Sequence, residues 1–165
     1  MVKRALIFGG LVVLVIALFG GGWVVGRAGF GSVIDPASLP EVERQFIERM
    51  KGVRLAGTFT VAGREDRKPS TDWYDIYSVD KVGEDQWRFN ARMECCGLSG
   101  STLPIVVPMR FVGDTPMIMM TDTEIPGVGT FTVRLFFYGD WYSGTWQHGK
   151  VGGHMSGRIE KMAPR

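Results

Sequence analysis

The residues best suited to chemistry crowd the C-terminal stretch Trp141-Tyr142-Ser143-Gly144-Thr145-Trp146-Gln147-His148-Gly149-Lys150-Val151-Gly152-Gly153-His154. Two histidines in a glycine-rich hairpin could bind a metal, since neutral imidazole is a common ligand. Strand register argues against that. Pairing Trp146 with Met155, Gly144 with Gly157 and Tyr142 with Ile159 keeps the apolar residues on one face. Gln147 then opposes His154, and His148 points to the other side of the sheet. A bulge at Gly152-Gly153 would reunite the imidazoles. The hairpin still offers no acidic or cysteine partner, so neither a metal nor a cofactor is expected. Trp141, Trp146, His148 and His154, with Arg88 and Arg92 of an earlier strand, are expected to line a ligand or partner surface.

Other chemistry-bearing residues fall in turns. Asp114, Asp122, Glu124 and Asp140 could form an acid-base pair of the kind that cleaves glycosides, but they also suit turns, where Asp bonds to its own backbone. Cys95 and Cys96 are adjacent. They could be two free thiols, a strained vicinal disulfide, or a link to another chain, and they lack the spacing of a redox pair. No serine sits in a nucleophile elbow, and no glycine-rich phosphate loop precedes a helix. Met109, Met117, Met119 and Met120 read as core filling. The formal net charge is +2, with no basic stripe, which excludes nucleic acid as an expected partner.

The elements that must position these residues are strands. From Val53 onward the apolar pattern has a period of two, broken at Gly83-Glu84-Asp85, Gly113-Asp114-Thr115-Pro116, Pro126-Gly127-Val128-Gly129 and Gly139-Asp140. The expected strands run over 53–61, 73–82, 86–94, 103–112, 117–124, 130–138, 141–148 and 154–160. Short connections imply an antiparallel meander, closed as an up-and-down barrel of the calycin or lipocalin kind, or flattened into a sandwich. Pro104 and Pro108 lie on the face opposite Leu103, Ile105, Val107 and Met109. Each lacks a ladder donor, so this strand is expected at an edge, bulge or imperfectly closed seam. The charged loop 63–72 is expected to be mobile.

Before the β domain (53–165) come a linker and a short amphipathic helix (28–52). Ser38 is the expected N-cap, Val42, Phe46, Ile47 and Met50 the apolar stripe, and Gly52 the stop. Residues 1–27 hold a charge-free run from Ala5 to Gly26, between Lys3-Arg4 and Arg27. A helix of about 20 such residues crosses a bilayer. The run is too long for a signal peptide, and Trp23-Val24-Val25 occupies the expected cleavage region. No cysteine follows to carry a lipid. Two cations before the run and one after it place the N-terminus in the cytoplasm and the β domain in the periplasm. Gly10, Ala17 and Gly21 share one helical face, and Gly22 and Gly26 form a small-xxx-small pair. Such faces let membrane helices pack closely.

The β domain resembles a group of uncharacterised bacterial single-span membrane-anchored proteins. The resemblance rests on Trp87-Arg88-Phe89, Gly113-Asp114-Thr115-Pro116, Ile125-Pro126-Gly127 with Gly129-Thr130-Phe131, and Gly144-Thr145-Trp146-Gln147-His148-Gly149 followed by Gly152-Gly153-His154. It implies a shared fold and no activity. The functional expectation is a non-catalytic module, most concretely an accessory subunit docked on the periplasmic side of a larger inner-membrane complex. The alternatives are a barrel that binds an apolar ligand, or a small hydrolase using carboxylates or His148 in the barrel mouth.

Overall fold

Alternating apolar and polar residues suit a sheet with one face buried. In the computed structural model, which describes residues 32–93, 102–125 and 127–163, that alternation becomes eight antiparallel strands. They are β1 (Val53–Phe59), β2 (Ser70–Lys81), β3 (Gln86–Met93), β4 (Thr102–Val112), β5 (Thr115–Ile125), β6 (Gly129–Tyr138), β7 (Trp141–His148) and β8 (Val151–Lys161). Each strand pairs with the next, and β8 pairs back onto β1, so the sheet is a closed up-and-down barrel and not a sandwich. Trp87, Phe89, Ala91 and Met93 of β3 are all buried inside it, as their spacing of two requires.

One end is plugged by helix α1 (Glu41–Met50), which drives Phe46 and Met50 into the core. The Phe46 ring centroid lies 6.0 Å from that of Trp87, 5.8 Å from Phe111 and 5.6 Å from Phe137. A half-buried ion pair, Lys81 Nζ to Glu43 at 2.7 Å, ties the helix to β2. Gly52, at φ 64, ends the helix as its position suggests. The N-cap differs from expectation. Asp35 caps a 3-10 turn at Pro36–Ser38, Ser38 donates to the Asp35 carbonyl, and Pro40 occupies the cap of α1. Asp35 precedes a proline that already fixes the first turn, so it nucleates the chain reversal before Ser38 can.

The β7–β8 hairpin also differs. Trp146 pairs with Gly153, Gly144 with Met155, Tyr142 with Gly157 and Thr145 with His154, two residues from the expected register. The expected pairing reserved Gly149–Gly153 for the loop. Instead Gly149, at φ 59, completes a two-residue turn, and Gly152 and Gly153 belong to the strand. Glycine is needed there for close approach: a Cβ on Gly153 would collide with the Thr60 carbonyl oxygen. A shift of two preserves the faces, so the opposition of His148 and His154 survives it.

The ladder between β4 and β5 has four pairs only, from Met109–Ile118 to Val112–Thr115. Its end has a local cause. The Met109 N–H donates to the Asp85 carbonyl, on the β3 side of the strand. Backbone groups alternate sides along an antiparallel strand, so even-numbered Pro104, Val106 and Pro108 face β5. Two of those three have no N–H to give.

Among the described residues no helix is long and apolar enough to cross a membrane. The expected anchor, with Gly10, Ala17, Gly21, Gly22 and Gly26, lies outside the described residues, as do Cys95 and Cys96.

Candidate functional site

With α1 in one end, the opposite end of the barrel is its mouth, where β1, β3, β5 and β7 end and β2, β4, β6 and β8 begin. Phe46 of the helix packs with Trp87, Phe111 and Phe137 at that end, and space beyond them stays unfilled. The result is a cavity of about 360 Å³, walled by inward residues such as Ile76, Ala91, Val107, Met120 and Val133. Ligand pockets span roughly 300–1,000 Å³, so this one suits a small organic molecule. Its lining is almost wholly aliphatic or aromatic, with Asp72 as the one carboxylate among the lining residues.

Asp72 enters the barrel because β2 begins at Ser70 and not at Trp73, extending the inward series Asp72, Tyr74, Ile76. The Tyr74 hydroxyl donates to Asp72 Oδ2 at 2.9 Å. Asp72 Oδ1 is buried and has no hydrogen-bond partner. Burial pushes this carboxyl above the usual aspartate range, while the Tyr74 bond pulls the other way. Across the wall, Asp72 pairs with Gly57, Gly57 with Gly157, and Gly157 with Tyr142. The two glycines clear a lane for the Tyr142 side chain, whose hydroxyl occupies the place a Cβ on Gly57 would take. Tyr142 is fully buried, and its hydroxyl has no partner. Burial raises its pKa, and the nearby Asp72 charge raises it further.

Trp146 and His148 continue the inward side of β7 towards the mouth. Trp146 meets Phe59 edge to face at 5.8 Å, and its Nε1 is buried without a partner. His148 stacks on Phe131 at the rim, with centroids 4.5 Å apart and planes inclined by 13°. These two are the expected surface residues that the fold brings together. Trp141 and His154 point outward, Trp141 beneath the Arg158 guanidinium at 4.5 Å. Arg88 and Arg92 also face outward. Arg88 bonds Asp80 at 3.1 Å, and Arg92 stands 3.7 Å from Asp75, which Arg54 also holds at 2.6 Å. Both pair with carboxylates on the outer face of the sheet.

Asp114, Asp122, Glu124 and Asp140 are all exposed and none lines the cavity. Asp122 sits in a β5 bulge at φ 45, bonded to Thr132. The methionines divide: Met109 and Met120 are buried inside, whereas Met117 opposes Arg110 on the outer face. Among the described residues no group of three or more His, Cys, Asp or Glu could hold a metal ion.

Asp72 and Tyr142 are the residues that sequence reasoning missed as a site. Asp72 was legible through its spacing of two from Tyr74 and Ile76, but it closes a charged run that reads as loop. No family model, curated protein or solved structure matches this chain.

Proposed function

We propose that this protein is a membrane-tethered binding module that holds an apolar molecule inside its barrel. The observation that carries the reading is the cavity itself, plugged by α1 at one end, walled by apolar side chains and facing the mouth. An apolar wall of this size gains free energy by covering a ligand, at about 25 cal/mol per Å² of apolar surface removed from water. The run Ala5–Gly26 supports a single membrane span, and the cation bias supports a barrel on the extracytoplasmic side. The small face of Gly10, Ala17 and Gly21 favours a second reading, in which the same chain is an accessory subunit packed among the helices of a larger complex.

Purification of the full chain in mild detergent tests both. Incubated with the neutral probe N-phenyl-1-naphthylamine, the wild type should bind about one equivalent above an empty-micelle control. Ala91→Phe and Val133→Phe, which fill the cavity, should bind far less while keeping their circular dichroism. Equal binding by the filled variants would show that the probe lies elsewhere. Membrane subunits that co-purify stoichiometrically would support the second reading.

A further inference from the structure

Near Asp72 three buried polar groups stand without partners, two on the cavity-lining residues Asp72 and Trp146 and one on Tyr142, outside the lining. Asp72 Oδ1 is an acceptor without a donor, while the Tyr142 hydroxyl and Trp146 Nε1–H are donors without acceptors. All three are buried. Groups left in this state are rare in folded proteins, because each loses its water without a replacement. Cross-strand pairing sets Asp72 beside Gly57, and the Tyr142 hydroxyl reaches that glycine. Trp146 packs on Phe59, the next inward residue of β1 towards the mouth.

We infer that the cavity wall at Asp72 and Trp146 recognises the hydroxyl group of an otherwise apolar, uncharged alcohol. The inference rests on the reading of the cavity as a ligand site and adds the chemical class of the ligand. A hydroxyl is both donor and acceptor. It can give its proton to Asp72 Oδ1 and take one from Trp146 Nε1, both on lining residues. A ketone can only accept, and a hydrocarbon can do neither. A carboxylate has no proton for Asp72 and brings an uncompensated charge into an apolar wall. The rest of the molecule is then covered by aliphatic and aromatic side chains, with Tyr74 and His148 the remaining polar ones.

Displacement of N-phenyl-1-naphthylamine from the full chain by 1-dodecanol, dodecane and dodecanoate tests this, with empty micelles subtracted. Wild type should prefer dodecanol to both others by about tenfold, the scale of one or two hydrogen bonds made in place of unmet ones. In Asp72→Leu and in Trp146→Phe the ratio of dodecanol to dodecane affinity should fall to near one. Two variants on different strands guard against a folding defect in either. Wild type that binds all three equally, or variants that keep the preference, would overturn the assignment and leave Asp72 and Trp146 with a purely structural role. Failure of every probe to bind wild type would overturn the cavity reading along with it.

Discussion

A carboxyl facing an apolar wall makes the stability of the barrel depend on pH. Burial raises the folded-state pKa of Asp72 above its unfolded value, so the native state binds more protons than the unfolded chain. The stability linked to this group is fully present below the unfolded value and is lost as pH rises through the folded one. Asp72→Asn keeps an oxygen for the Tyr74 hydroxyl and removes the ionisation. The variant should therefore be more stable than wild type at pH 7, with an advantage that shrinks as the pH falls to 4. Urea midpoints at the two pH values measure this, and an advantage that grows on acidification would contradict it. The same residue shows what was hard to read. Side-chain parity placed Trp146 and His148 on the inner face of β7 and His154 on the outer face of β8, because period two is a local property. Asp72 follows a run of Arg64, Glu65, Asp66, Arg67 and Lys68, and nothing local says that the strand has already begun. The inward setting of Tyr142 could be read from its neighbours. Its unpartnered hydroxyl could not, since that depends on glycines of β1 and β8 far along the chain.

Among the elements, β4 shows most directly how sequence sets the limits of a ladder. Its prolines mark a seam, as expected, and the Met109–Asp85 bond shows which neighbour they disappoint. Beyond Met109–Ile118 the β4–β5 ladder stops, although both strands continue. Replacing Pro104 and Pro108 with valine returns two donors to the β5 side in a residue that favours strands. At about 0.5–1.5 kcal/mol for each new bond, the double variant should gain about 1–3 kcal/mol in stability. Hydrogen exchange should show new protection of the amides between 104 and 108. Exchange as fast as that of Val106 in wild type would mean that something other than the missing donors holds the strands apart. The strands and helix α1 were legible because burial imposes periods of two and 3.6 on them. The β7–β8 register was not, because the alternative two residues away buries the same faces. Only the tight turn at Gly149 and the close approach of Thr60 to Gly153 decide between the two.

For the whole molecule, both described ends of the chain lie at the helix-capped end of the barrel. Ile34 N–H donates to the Lys81 carbonyl, and Met162 N–H donates to the Gly52 carbonyl. Among the described residues, most exposed large apolar side chains gather at this end as well. Val112, Tyr138 and Trp141 follow one outward row across β4 to β7 beside Phe136, and Val33 precedes α1, whereas among the described residues only Val151 of this group lies at the mouth. Tyrosine and tryptophan are the side chains that settle at a membrane-water interface. Under the proposed anchoring, the seven Cα–Cα steps from Arg27 to Ile34 reach at most about 25 Å. The 11 residues of β8, at about 3.3 Å each and tilted by about 40°, carry the mouth roughly 28 Å further out. The helix end should therefore rest near the bilayer, with the mouth open to the aqueous compartment, where a ligand would be delivered or collected. Full-length protein with Cys95 and Cys96 replaced by serine can carry one fluorescent label, at Lys51→Cys beside the helix or at Lys150→Cys on the mouth turn; both positions are exposed. In vesicles containing nitroxide-labelled lipid, the label at 51 should be strongly quenched and the label at 150 barely so. Equal quenching would mean that the barrel tumbles freely on its tether. The reverse order would place the mouth on the membrane and make the lipid itself the source of ligand.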